Sequence, residues 1–217
     1  MSLITRDLSS LPRRDVYRIL SSLVIPRPIA WITTVDGSGR VNLAPFSSFM
    51  GIFGPPMLAL TLGRRKDGSL KDTHRNLREL GEAVVHIADL PLLEALHASA
   101  AEVGPEISEV ERLGLATAPS LRVGPPRLQA APVALECRLN RELELGPGST
   151  LVLLDVLVAH AAEGIWSTEE DSADASLWTP LSRLASVVGP NYGALGQTFH
   201  LGISELPDLA PPESHHA

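Results

Sequence analysis

The chain has 217 residues, 44% hydrophobic and 20% charged, so a packed core is within reach and wholesale disorder is excluded. The formal net charge is -7 with basic residues scattered along the chain, the opposite of what a nucleic-acid partner demands. A single cysteine, Cys137, rules out a disulfide framework, a CxxC redox pair and a cysteine-rich metal site.

At the N-terminus Ser9-Ser10-Leu11-Pro12 reads as a helix start, with serine as cap and proline in the first turn. Val16, Ile19, Leu20 and Leu23 follow at helical spacing, and the helix ends before Pro26. Ile29 to Val35 and Val41 to Ala44 are rich in strand formers and flank the turn Asp36-Gly37-Ser38-Gly39, which predicts a β-hairpin. Met57 to Leu62 is a buried strand, Ser69 to Leu80 a helix closed by Gly81, and Ala83 to Ile87 another strand. Asp89 to Ala101 reads as a helix, and Glu106 to Leu113 as a second helical patch. Ala118 to Pro132 holds four prolines and crosses the surface. Strands Val133 to Leu139 and Leu151 to Ala161 come next, joined through Gly146-Pro147-Gly148. Cys137 sits in the first of them as a small buried hydrophobe. Glu163 to Thr179 is polar and loop-like, its carboxylates a solvated surface, and the tail from Pro207 is frayed.

No stretch has the apolar run of a signal peptide, and none reaches the roughly 18 apolar residues of a membrane span. Leu151 to Ala162 comes nearest and is broken by Asp155. A cytoplasmic protein away from the membrane is the expectation. Several strands are apolar on nearly every residue, which requires cover on both faces. Barrel closure with a dimer interface supplies it, although a generic α+β sandwich meets the same pattern.

Three segments carry chemistry. Lys71-Asp72-Thr73 falls at a predicted helix N-terminus, where free N–H groups, a lysine and a hydroxyl suit a phosphate. Asp72 fits the N-cap, and Ser69 stands at capping-box spacing from it; an ordinary capped surface helix explains the same residues. In Asn42-Leu43-Ala44-Pro45-Phe46-Ser47-Ser48-Phe49, Pro45 removes a ladder donor, so the chain is expected to leave the sheet there. Ser47 and Ser48 would then stand beside two aromatic rings, fit for the edge of a flat heterocycle. A core strand with a bulge is the plainer alternative. In Pro26-Arg27-Pro28 two prolines stiffen the backbone around an arginine, which is expected to project toward an anion. His74, His86, His97 and His160 lack metal-ligand spacing, and no metal site is expected.

Taken in order, Pro26-Arg27-Pro28-Ile29-Ala30-Trp31, Asn42 to Ser47, Lys71-Asp72-Thr73 with Asn76, Pro132 to Cys137, and Pro180 to Leu184 followed by Tyr192 and Gly196 resemble the flavin-reductase-like, FMN-binding split-barrel family. The likeness runs from about Tyr17 to Phe199. It implies a mainly β fold with peripheral helices: a six-stranded antiparallel split β-barrel filling residues 1–217 as one domain. It implies a homodimer, FMN as cofactor and NAD(P)H as possible electron donor. By position, Ala44, Pro45, Phe46, Ser47 and Ser48 would line the ring and ribityl chain, and Lys71, Asp72 and Thr73 the phosphate. Thr61 and Gly63 would add contacts, Arg27 and Pro28 would lie near the ring, and Tyr192 would reach over it. His86 departs from the family's asparagine and is expected as a hydrogen-bonded histidine near the site. The function implied is hydride or electron transfer from NAD(P)H through FMN to flavin or another acceptor. An FMN-binding electron carrier without nicotinamide turnover is one alternative. A non-flavin barrel holding another phosphorylated ligand, such as pyridoxal phosphate, is another.

Overall fold

The computed structural model describes residues 2–184 and 190–198, so the tail from Pro207 lies outside the described residues. The first half of the chain forms α1 (Arg13–Leu23), β1 (Arg27–Pro28), β2 (Ala30–Val35), β3 (Val41–Phe46), β4 (Phe49–Ile52), β5 (Met57–Gly63), α2 (Asp72–Leu80) and β6 (Glu82–Ile87). The second half forms a 3-10 turn (Leu90–Leu92), α3 (Leu93–Ala98), α4 (Glu109–Arg112), β7 (Thr117–Ala118), β8 (Arg127–Leu128), β9 (Val133–Gly146) and β10 (Ser149–Ala161). The pairs β11 (Trp166–Ser167) with β12 (Ser172–Ala173) and β13 (Leu181–Arg183) with β14 (Tyr192–Ala194) complete it.

The main sheet has seven strands in the order β3-β2-β6-β9-β10-β5-β4, every neighbouring pair antiparallel. Its two edges, β3 and β4, are joined by Ser47 and Ser48 alone. Six interstrand gaps in a flat sheet would put those edges roughly 29 Å apart. Three Cα–Cα steps from Phe46 to Phe49 reach at most about 11 Å. The sheet therefore has to curl until its edges meet at that corner. Counting antiparallel reversals, β3 and β4 run in the same direction, so they are one strand path that leaves one edge and joins the other. The barrel thus has six strand paths, as expected, and seven hydrogen-bonded segments because this path is broken at the corner.

Pro45 does not end its strand. It lies in register with Trp31, and β3 continues to Phe46. An edge strand tolerates the missing N–H, so the break comes two residues later than proline chemistry alone suggests.

Alternation along β2 explains its continuous apolar run. Ala30 and Ile32 face the barrel interior with Phe46, Leu60, Val85, Cys137 and Leu154. Trp31 faces outward into a second cluster with Leu43, Leu96, Val110 and Leu128, under α3 and α4. Helices, rather than a subunit interface, supply the outer cover here. Helix α2 packs against β2, β3 and β6 and drives Leu77 into the interior cluster. Cys137 is fully enclosed, and burial pushes its thiol up to about 12, leaving it an inert core group.

Several local expectations shift. Ser9 bonds to Asp7, and Pro12 rather than a serine occupies the N-cap of α1. Ser69 bonds to Asp67, so no capping box forms, and Lys71 rather than Asp72 is the N-cap of α2. Gly81 closes α2 in the left-handed conformation at φ 72°, where a Cβ would be strained. The acidic segment after Glu163 forms the small β11–β12 hairpin.

Candidate functional site

The N-terminus of α2 and the end of β3 meet at one open cleft of about 170 Å³. Asn42, Ala44, Pro45 and Phe46 form one wall, and Arg65, Lys71, Asp72 and Thr73 another. The segment from Ser99 to Val103 and the carboxyl of Glu109 close it. A second recess of about 180 Å³ adjoins it, sharing Pro45 and Ala100. Tyr17, Ile29, Ser47, Leu96, Arg183 and Tyr192 complete that recess. Together the two reach the low end of small-molecule sites, roughly 300 Å³ and up.

Lys71 brings a positive charge to the cleft, its ammonium 5.6 Å from the centre of the Phe46 ring. Asp72 pairs with both Arg65 and Arg75, so its charge is balanced within the wall. The first turn of α2 adds N–H groups without intrahelical partners and the positive end of its dipole. Thr73 is tied to β3 by the Asn42 amide, 3.0 Å away. Glu109 is buried, and its Oε2 accepts the Leu43 N–H at 2.9 Å. Burial raises its pKa and the nearby Asp72 adds to the rise, against the lowering effects of the Leu43 N–H and Arg65.

In the second recess the Arg183 guanidinium lies 4.9 Å from the centre of the Tyr192 ring. Tyr192 meets His97 edge-on, with its hydroxyl 3.2 Å from Nδ1. The small sheet β1-β13-β14 carries both Arg183 and Tyr192.

Of the residues expected from sequence, Ala44, Pro45, Phe46, Lys71, Asp72 and Thr73 share the cleft, and Ser47 and Tyr192 stand in the adjoining recess. The others lie outside both linings. Arg27 does not project; it bonds the carbonyls of Ser21, Val24 and Leu184, tying α1 to the end of β13. Pro28 pairs with Ser182 in the small sheet. Ser48 is exposed, and its carbonyl takes the Thr61 N–H at 2.9 Å, so this pair braces the corner from behind. Gly63 pairs with Ser149 at the end of β5. His86 is enclosed in the sheet, away from both linings. Its Nδ1–H donates to the Trp31 carbonyl at 2.9 Å, and Nε2 accepts the Leu128 N–H at 3.0 Å.

Sequence reasoning missed Arg65, Glu109, Arg183, Tyr17 and the Ser99–Val103 wall. All but Arg65 arrive by long-range packing; Arg65 is a near neighbour of Lys71 in sequence and pairs with Asp72. One signal for the wall does exist in the chain: a buried tryptophan needs an acceptor for its indole N–H. Trp31 finds it in Ser99 Oγ at 2.8 Å, which pins that wall.

The split barrel and the matches that follow place the chain in the flavin-handling oxidoreductase class. The chain belongs to the flavin-reductase-like family: the flavin reductase like domain matches residues 21–171. A protein of Halalkalibacterium halodurans is 38% identical over 198 residues, covering 88% of this chain and 92% of that protein. Nitrilotriacetate monooxygenase component B from Bacillus cereus superposes with a TM-score of 0.85 at 33% identity, over 93% of this chain and 100% of that one. The 2-nitrobenzoate 2-nitroreductase NbaA of Pseudomonas fluorescens gives 0.84 at 26% identity, over 97% and 100%. Among the described residues no helix is long and apolar enough to cross a membrane.

Proposed function

We propose that the chain is an FMN-dependent, NAD(P)H-oxidising flavin reductase that acts as a cytoplasmic homodimer. The observation that carries this is the meeting of the α2 N-terminus with the end of β3 around one cleft, with Ser47 of the corner in the recess that adjoins it. Lys71, Thr73 and the first-turn N–H groups of α2 would hold the phosphate. Their donor set matches a dianion, because Asp72 is already paired with Arg65 and Arg75. Ala44, Pro45, Phe46 and Ser47 would flank the ribityl chain and ring, and Tyr192 would close over it from the recess. Bound FMN supplies hydride acceptance and onward electron transfer. The chain's own part is to hold the phosphate, orient the ring against Pro45 and restrict water around it. Among the residues lining the cleft and recess, no side-chain acid or base is required for that chemistry.

The homodimer draws support from α1 and the two residues after it, where Tyr17, Leu20, Leu23, Val24 and Ile25 are 45% to 72% exposed. Such an apolar face is costly to leave in water. Sedimentation equilibrium would show a monomer if this part is wrong.

The deciding experiment is the visible spectrum of the purified protein, repeated anaerobically with NADH or NADPH. FMN absorbance bleached within seconds supports the reductase. Bound flavin that stays oxidised leaves an electron carrier, and a colourless protein that takes up no FMN removes the reading. Substituting Lys71→Ala and Ser47→Ala together should release the flavin.

A further inference from the structure

We propose that Asn42 is a positioning residue: it orients the Thr73 hydroxyl as a donor at the floor of the cleft, and so sets a preference for a phosphorylated over an unphosphorylated flavin. This rests on the FMN reading above and adds a residue and a selectivity to it.

Donors and acceptors fix the orientation. The Asn42 side-chain nitrogen lies 3.0 Å from Thr73 Oγ1 and 3.3 Å from Thr34 Oγ1. An amide nitrogen only donates, so one of its hydrogens goes to each threonine. Thr73 Oγ1 is therefore an acceptor in that bond, and its own hydrogen is left for another partner. Thr34 Oγ1 also accepts from Asn76 Nδ2 at 3.0 Å, which anchors the network on β2 independently of Asn42. Thr34, Thr73 and Asn76 are each at most 1% exposed, so these bonds form away from water. Thr73 and Asn42 both line the cleft beside Lys71. A hydroxyl that already accepts one bond, at a helix N-terminus and beside a lysine in the same lining, is set to donate to an anion. A neutral hydroxyl group in the same place would gain much less, which is the source of the preference.

The same network also docks α2 on the sheet, and the test must separate the two roles. The full chain, freed of flavin, is titrated with FMN and with riboflavin, following quenching of flavin fluorescence. The variants are Thr73→Val, Asn42→Leu, the double variant and Thr73→Ser. Thr73→Val should weaken FMN by about tenfold to hundredfold, the range of a hydrogen bond to a charged group, and leave riboflavin within about twofold. Asn42→Leu should weaken FMN by about threefold to tenfold, because the freed hydroxyl can turn away. The double variant should match Thr73→Val, because Asn42 acts only through Thr73. Thr73→Ser should keep the preference. Equal losses for FMN and riboflavin, or losses that multiply in the double variant, would overturn the proposal. A wild-type chain that binds FMN tightly while Thr73→Val and Asn42→Leu keep its preference sinks this inference alone. A wild-type chain that takes up no FMN sinks the flavin reading with it.

Discussion

Two polar regions flank the sheet, and they treat buried charge in opposite ways. On one side, where the Ala118 to Pro132 crossing lies over β6 and β9, His86 and Glu136 are closed off by partners. His86 has both ring nitrogens bonded, and Glu136 accepts the Leu121 N–H at 2.7 Å, the Arg122 N–H at 2.6 Å and a bond from His160 at 2.7 Å. On the other side, at the start of α2, Thr73 and Lys71 line a cleft, and the first-turn N–H groups have no intrahelical partner. Satisfied buried groups hold a fold together, and groups left open toward a cleft are held for a ligand. The contrast predicts that damage to the first region costs stability and damage to the second costs binding.

The largest effect is expected at Glu136. Glu136→Ala removes the acceptor of two backbone N–H groups and of His160 and so releases the proline-rich crossing, at a cost of about 3–5 kcal/mol in urea unfolding. FMN affinity of the folded fraction should not change. Next comes acid stability. Burial is the main force that lowers His86 from 6.5 to about 4, and Arg127 adds to it against the pull of the Trp31 carbonyl. The depressed value means that the native state keeps His86 neutral while the unfolded chain takes up a proton below pH 6.5. Stability is therefore whole above that pH and falls as pH drops toward 4. At about 1.4 kcal/mol per pH unit the loss approaches about 3 kcal/mol. Glu136 adds to acid lability: burial alone would raise its carboxyl, yet the two N–H groups and His160 bring it below the usual carboxylate value. Comparing wild type with His86→Asn isolates the histidine, since asparagine carries a donor and an acceptor but does not titrate. Equal pH slopes in the two would remove this account of His86. The converse case is Lys71→Ala, expected to move the unfolding midpoint by less than about 1 kcal/mol while weakening FMN by about tenfold or more.

The same contrast explains which features the amino-acid sequence makes legible. The strand runs, the Asp36–Gly39 turn and the Gly81 stop are local chemistry, and they stand where turn and periodicity rules put them. Lys71 and Thr73 are legible because a helix start declares itself within a few residues. Pro45 misleads because ladder rules for a central strand do not bind an edge strand, and edge position is a property of the whole sheet. Arg27 misleads for a related reason. Its stiff segment does fix the side chain, but three carbonyls from α1, its C-cap and β13's far end consume it. Glu109 meets Leu43 across 66 residues of chain and Ser99 meets Trp31 across 68, and no spacing rule records that approach.

Glu109 gives the smallest effect and the sharpest sign, because it belongs to both regions at once. Like Glu136, it is a buried carboxylate that accepts a backbone N–H, from Leu43 on the edge strand. Unlike Glu136, it faces the cleft and has its pKa raised, with burial the main cause. A raised acid is protonated more readily in the native state than in the unfolded chain. Its contribution is thus present at low pH and is lost as pH rises above the usual glutamate value of 4.5 and through the folded one. Glu109→Gln keeps an acceptor for the Leu43 N–H and removes a negative charge that costs stability at neutral pH. The variant should gain up to about 1 kcal/mol at pH 7 and nothing at pH 4. FMN should bind it severalfold more tightly at pH 7, because one of the carboxylates that line the cleft beside the dianion would be gone. A variant that loses stability at pH 7 would mean that the glutamate charge is paired after all, and would move Glu109 into the company of Glu136.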